Sequence, residues 1–379
     1  MRLDVLINSE FSLEPGLIYL NHAAVAPWPT RTAEAVRSFA TENQHYGAQH
    51  YLDWMKVESN LRAQFSRLIN AASADDIALL KNTSEALSFV AHGLSWNPGD
   101  NVVISDQEFP SNAIVWHSLK DKGVEVREIN LSSGTSPENA LIKAIDNKTK
   151  LLSISSVQYA SGLRMNLSQL GEACKKKNVL FCIDAIQSIG AIPFDVEAVN
   201  ADFVMADTHK WMLGPEGVAL FYSRPEVREQ LSLHEFGWRM LDDISNFAPS
   251  AWNITKTARR FECGSPNMLG IHGANASLSL ILEIGLGKIE EELLKRSLFT
   301  VECIRENPNL TLITDSDPDR IAGIITFKSS KIEGQPLYEK LMKNNVICAA
   351  RGGGVRFSPH FYTSFDDIKS AVQLASLTG

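Results

Sequence analysis

Two short apolar runs, each stopping abruptly at chemically capable residues, constrain this chain more than any other feature. Phe181-Cys182-Ile183 leads into Asp184-Ala185-Ile186-Gln187, and Phe203-Val204-Met205-Ala206 leads into Asp207-Thr208-His209-Lys210. Both runs have the length and the β-branched or aromatic content of strands buried in a parallel sheet. In an open α/β sheet the ends of such strands face the ligand crevice. Asp184 and Lys210 are therefore expected to meet over one site.

Most lysines are solvated surface charges, and an aspartate ending a strand is usually a cap or turn residue. Lys210, however, sits between an apolar strand and Trp211-Met212-Leu213-Gly214-Pro215, a poor place for a merely solvated amine. A desolvated amine has a lowered pKa and is a competent nucleophile. A lysine and an acid at neighbouring strand ends suit pyridoxal phosphate (PLP). The amine joins the aldehyde, and the carboxylate keeps the pyridine nitrogen protonated so that the ring accepts electrons.

At 379 residues the chain fits two domains. A net charge of −8 argues against a nucleic-acid-binding surface. Cys174, Cys182, Cys263, Cys303 and Cys348 are scattered without a Cys-x-x-Cys pair, as expected of reduced thiols in a cytoplasmic protein. Met1-Arg2-Leu3-Asp4-Val5 carries an early acid and no continuous apolar core, so no signal peptide is expected. No stretch reads as a membrane span, and no His-Glu-x-x-His spacing points to a metal.

Along the chain, Leu17-Ile18-Tyr19-Leu20-Asn21-His22-Ala23-Ala24 is a short extended segment, broken by Pro27 and Pro29. It is either a strand cap or a loop that brings Asn21 or Ala23 near a ligand. Lys81-Asn82-Thr83-Ser84-Glu85 follows a strand and opens a helix. It is a capping signature that doubles as a phosphate cradle once a phosphate-bearing cofactor is expected. Phe109 stands in a strand-end loop, either half-buried packing or a flat partner for a planar ring. Strands at 77–80, 101–105, 123–129, 150–157, 180–184, 202–207 and 217–222 alternate with helices. The sum is about seven strands in a three-layer αβα domain with a mainly parallel sheet, spanning 17–255. The pattern is lost at 223–262. Residues 256–379, with 1–16, then read as a smaller α+β domain that begins with a long helical stretch at 268–305. Gly352-Gly353-Gly354 is a tight hairpin without the lysine of a P-loop. Arg356, in a short apolar strand, needs an anionic partner. A substrate carboxylate gripped bidentately fits, with a structural ion pair as the competing reading.

Together these motifs resemble the class V aminotransferase family of fold-type I PLP enzymes, which includes cysteine desulfurases, kynureninases and isopenicillin N epimerase. The likeness runs from Tyr19-Leu20-Asn21-His22 to the Arg356 segment. It implies that Lys210 forms the internal aldimine and later shuttles the proton at the substrate α-carbon. Asp184 pairs with the pyridinium nitrogen, and Gln187 hydrogen-bonds the ring oxygen. Thr83, the Ser84 backbone and His209 hold the phosphate, and Phe109 stacks on the ring. Arg356 grips the α-carboxylate of an amino-acid substrate, with Asn21 and Gln158 as further substrate-side candidates. Arg239 is a second candidate for an acidic substrate group. Ser265, in Cys263-Gly264-Ser265-Pro266-Asn267, resembles the segment that reaches a neighbouring subunit's phosphate, so a homodimer with shared sites is implied.

Two departures shape the functional expectation. Asp207 stands where desulfurases carry a phosphate-binding serine, so among the cofactor-site residues it must face a cation, a backbone N–H or water. The loop before Arg356 lacks the segment bearing the desulfurase persulfide cysteine, and Cys348 reads as a buried thiol. Cysteine desulfurase activity is accordingly disfavoured. The expected chemistry is transamination, or racemisation or epimerisation, of an amino acid. A kynureninase-like or other β-lyase reaction is the alternative, and a non-catalytic PLP-binding or partner-binding protein is the rival from another class.

Overall fold

The computed structural model of the protein describes residues 3–132, 134, 136–246, 248 and 252–377. Met1 and Arg2 of the N-terminal stretch read above lie outside them. Seven strands form the central sheet: β1 (Ile77–Leu80), β2 (Asn101–Ser105), β3 (Glu125–Ile129), β4 (Thr149–Ser155), β5 (Leu180–Asp184), β6 (Phe203–Asp207) and β7 (Ala219–Ser223). Their spatial order is β1-β7-β6-β5-β4-β2-β3. Only β7 runs against its neighbours. Between Asp207 and Ala219 the chain makes turns and no helix, whereas a parallel neighbour would need a helical crossover.

Alternation along the strands builds the three layers. Phe181, Ile183, Val204 and Ala206 face one core, while Cys182, Phe203 and Met205 face the other. Every residue of β2, β6 and β7 is buried. At the edge, β3 stays half-wet and carries Glu125, Arg127 and Glu128, charges that discourage pairing with another chain.

The smaller domain is built on β8 (Leu310–Leu312), β9 (Ile325–Ser329), β10 (Ala349–Arg351) and β11 (Gly354–Phe357), an antiparallel sheet in the order β10-β11-β9-β8. Two features shift the boundary read at 255/256. The helix Met268–Ile284 sends Ile271, Ala274, Leu278 and Ile281 into the large-domain core. It ends at Gly285 (φ 87°), where the helix Leu286–Arg305 turns away by 84°. Conversely, Ile18–Tyr19 pairs in parallel with Val346–Ile347, and Leu20 joins the small-domain core. The helical periodicity of 268–305 hid the glycine break, and nothing local to Ile18 shows that its partner lies so far along the chain. No single helix among the described residues is long and apolar enough to cross a membrane.

His22 pins this crossing strand. Its Nδ1 lies 2.8 Å from the Ser358 carbonyl, which can only accept, so Nδ1 carries the proton and Nε2 accepts from the Tyr362 hydroxyl at 2.6 Å. Burial lowers the imidazole to about 4, against the smaller raising effect of the Ser358 bond. A folded histidine held neutral contributes stability above its unfolded value of 6.5 and loses it as pH falls towards about 4. We therefore expect urea unfolding of wild type to lose roughly 2–3 kcal/mol more than His22→Gln between pH 7 and 4.5. Parallel pH profiles for the two proteins would remove His22 as the source.

Candidate active site

The parallel register of β5 and β6 pairs Asp184 with Met205, so β6 runs on to Asp207 beside the end of β5. The chain then turns sharply. Leu213 N–H donates to the Lys210 carbonyl (3.0 Å), and Gly214 N–H donates to that of Thr208 (2.8 Å). Leu213 holds a left-handed φ of 61°, uncommon for a branched residue and a sign that the turn is over-determined by its surroundings. This turn brings Lys210 back over the strand ends, into a cavity of about 300 Å³ lined also by Asp184, Gln187, Thr83, Phe109 and Arg356.

Lys210 and Asp184 are both buried, 9% and 2% exposed. Burial pushes the Asp184 carboxyl up, partly offset by the Ile186 N–H on Oδ1 (3.0 Å) and by Lys210. Burial likewise pushes the Lys210 amine down, to about 8, with Asp184 opposing and Arg356 and Arg351 reinforcing. Each charge is thus only partly compensated by the other. An acid only partly compensated by a cation and an amine of lowered basicity are the complement of a pyridinium nitrogen and an aldehyde.

The other predicted side chains fit the same group. Gln187 Oε1 accepts from the Trp211 indole N–H (2.8 Å), a group that can only donate, which fixes the amide's orientation. Its Nε2 donates to the Ala23 carbonyl (3.1 Å), leaving a second N–H for a ring oxygen. Trp211 is fully buried and crosses Gly323 so closely that a Cβ there would stand 2.1 Å from the indole. Phe109 covers the amine, with Lys210 Nζ 5.7 Å from its ring centroid, and is steadied edge-on by Tyr159 at 5.1 Å. Thr83 and Ser84 begin the helix Thr83–Gly93 at the cavity wall. His209 lines the cavity with Nδ1 unpartnered and 3.4 Å from Asp207 Oδ2.

Arg356 is 2% exposed on β11. Its Nη1 donates to the Tyr159 carbonyl (2.7 Å), its Nε has no partner, and no carboxylate pairs with it among the described residues. The structural ion pair set against it in the sequence is not formed, so a guanidinium lowered to about 10 by burial faces the cavity unpaired. Arg351, across the hairpin, lines the same cavity.

Three predicted residues are not brought to this cavity. Asn21 bridges to Ser358 through its backbone, with Oδ1 buried and unpartnered. Gln158 is fully buried and donates to Ser105 Oγ and Glu108 Oε1. Ser265 is exposed and away from this chain's cavity. Arg239, the further candidate, is spent on a buried ion pair with Glu58. Sequence reasoning gave no role to Glu108, Tyr159, Arg351 or Trp211. The two-residue period of the hairpin is the signal that puts Arg351 on the face of Arg356, since Ala349 pairs with Arg356. Glu108 accepts from Ser105, Asn112, Ser155 and Gln158 and carries no local signal at all.

A family model, Aminotransferase class-V, matches residues 18–370. The chain belongs to the class V aminotransferase family. Its cofactor is PLP, and it is a PLP-dependent enzyme of this family. Relatives include a probable cysteine desulfurase of Methanothermobacter thermautotrophicus, 28% identical over 93% of this chain and 92% of the relative. A cysteine desulfurase of Salmonella typhimurium is 31% identical over 83% of this chain and 78% of the relative. Among solved structures, an apo cysteine desulfurase of Thermococcus onnurineus superposes with a TM-score of 0.88 at 24% identity, covering 98% of this chain and 97% of that one. The cystine C-S lyase C-DES, in complex with its product cysteine persulfide, does so with a TM-score of 0.89 at 21% identity, covering 96% and 99%.

These relatives overturn the expectation that set desulfurase chemistry aside in favour of transamination or racemisation. That expectation made an enzyme cysteine in the loop before Arg356 a condition for desulfuration. Breaking a Cβ–S bond requires first a base at Cα and an electron sink, the second of which bound PLP would supply.

Trp211 and Gln187 form one buried unit, so their effects on stability should not add. Trp211→Phe and Gln187→Ala are expected to show a coupling of about 1 kcal/mol in a double-mutant cycle by urea unfolding. Additive effects would dissociate the two.

Proposed function

We propose that this enzyme cleaves the Cβ–S bond of cysteine or a cysteine-derived amino acid and passes the sulfur to an acceptor outside its own cavity. The observation that carries this reading is the buried amine of Lys210, its basicity lowered, facing an unpaired Arg356 across one small cavity, in a chain whose relatives are named cysteine desulfurases. Arg356 holds the substrate carboxylate through Nε and the face of the guanidinium not bound to Tyr159. Lys210 Nζ takes the proton from Cα, and its depressed basicity keeps a share of the amine neutral near pH 7. When bound, PLP supplies the sink for the electron pair left at Cα. Phe109 and Tyr159 form part of the cavity's lining. None of the five cysteines lines it, and burial pushes the Cys348 thiol up to about 12. The sulfur therefore leaves in one of two balanced ways. Either an external thiolate attacks the substrate sulfur and forms a persulfide while carbon keeps the Cβ–S electron pair and is protonated to alanine, or the sulfur departs with that pair as sulfide and the remaining three-carbon unit is hydrolysed to pyruvate and ammonia.

The reading includes a homodimer in the cytoplasm. The exposed Ser265 supports a role at a neighbouring copy's site, and the exposed Phe236 and Trp252, which line one apolar hollow, support a covered apolar face. Five unpaired cysteines support a reducing compartment.

Purified protein loaded with PLP is expected to release sulfide from cysteine in the presence of a thiol reductant, and Lys210→Ala to reduce the rate by at least about 1000-fold. Arg356→Lys should raise KM for the amino acid roughly tenfold or more with a smaller effect on kcat, because a bidentate carboxylate grip is lost. Sulfur release unchanged in Lys210→Ala, or none from cysteine or cystine while another amino acid is turned over, would overturn the reading.

A further inference from the structure

Asp207 closes β6 at the mouth of the helix Thr83–Gly93, and its carboxylate fills the anion seat there. Oδ1 accepts from the Thr83 backbone N–H at 2.5 Å and from the Thr83 hydroxyl at 2.8 Å. The Glu85 N–H is taken by Asn82 Oδ1 at 2.9 Å, so the Ser84 N–H is the first-turn amide left without a protein partner. These are the donors to which a phosphate at this helix end would turn. A phosphate dianion and an ionised Asp207 would set like charges on one small set of N–H groups.

Little nearby relieves that conflict. On the same turn, His209 Nδ1 makes no hydrogen bond to Asp207, and burial holds its imidazole down at about 4, so it brings no charge at neutral pH. Lys210 is the leading cationic influence on Asp207 among the described residues, and Asp184 at the end of β5 already draws on it. Glu216, from the turn before β7, adds a further negative charge, as does Asp184. Burial holds the Asp207 carboxyl above the ordinary carboxylate range despite the two bonds from Thr83.

We propose that Asp207 takes up one proton from solvent when the cofactor's phosphate enters, and then donates its O–H to a phosphate oxygen while Thr83 turns its N–H to the phosphate. Cofactor retention is thereby linked to pH through a single carboxyl. A free carboxylate binding a proton as the ligand arrives makes affinity highest at low pH, falling as pH rises. The phosphate's own second ionisation lies near 6, below the range in which this is read.

The test compares PLP with pyridoxal, which lacks the phosphate, as probes of the apoprotein between pH 7 and 8.5, following tryptophan fluorescence. Taking the ratio of the two Kd values cancels the titration of Lys210 and Asp184, common to both probes. For wild type the advantage of PLP over pyridoxal should shrink about tenfold per pH unit towards the alkaline end. In Asp207→Asn it should be larger than in wild type at pH 8 and independent of pH. At pH 8, in weak buffer with an indicator dye, PLP should draw close to one proton more than pyridoxal on binding to wild type, a measurement that needs no variant. A flat wild-type ratio, the same slope in Asp207→Asn, or equal proton uptake for the two probes would overturn the proposal. Failure of PLP to bind at any pH would overturn the cofactor site itself.

Discussion

The structure turns on an uncomfortable pair: an amine and a carboxyl kept out of water at adjacent strand ends, each failing to satisfy the other. Desolvation is the leading cause at both, raising one and lowering the other. A folded chain retains such a pair only when the surrounding packing holds it in place, and the packing here is extensive. The strands beneath are fully buried, and the turn after Lys210 is tied back on itself through Thr208 and Leu213. Trp211 wedges the Gln187 amide from behind. The energy withheld from the protein's own ion pair is what the site offers a ring that brings a cation to the acid and an electrophile to the amine.

Much of this was legible because local sequence and local structure agree. Apolar runs of strand length ended at Asp184 and Asp207, and a cap signature at Asn82-Thr83-Ser84-Glu85 opened a helix, each without help from distant residues. Thr83, Asp184, Asp207 and Lys210 stand at or just past the ends of such elements, whereas the readings of Gln187 and His209 rest on the family resemblance and Arg356 lies within β11. What stayed hidden depends on pairing across the chain. The assignment of Ile18–Tyr19 to the small-domain sheet, the packing of Met268–Ile284 on the large core, and the carboxylate of Glu108 within its ring of hydroxyls and amides all rest on partners far away in sequence.

Gln158 and Asn21 illustrate the converse. Both are polar residues beside recognisable motifs and neither lines the cavity: the Gln158 amide is claimed by Glu108, while Asn21 is held to Ser358 through its backbone and its Oδ1 is buried without a hydrogen-bond partner. Residue type and spacing place a backbone, but the direction of a side chain is decided by which donors and acceptors are already spoken for. The same logic corrected the chemistry. A missing nucleophile near Arg356 weighed too heavily when the residues that control bond cleavage at Cα were all in place.

The wall of the cavity at Ala23, Ala24 and Val25 hangs from a strand whose hydrogen-bond partners are Asn345, Ile347 and Ser358. Contacts separated by 336 residues, such as His22 with Ser358, are the slowest kind to close. During synthesis the central sheet has everything it needs long before the last of those partners leaves the ribosome. The wall of the pocket is therefore among the last pieces to be stitched in, and the newborn enzyme is open-sided until its C-terminal strands arrive.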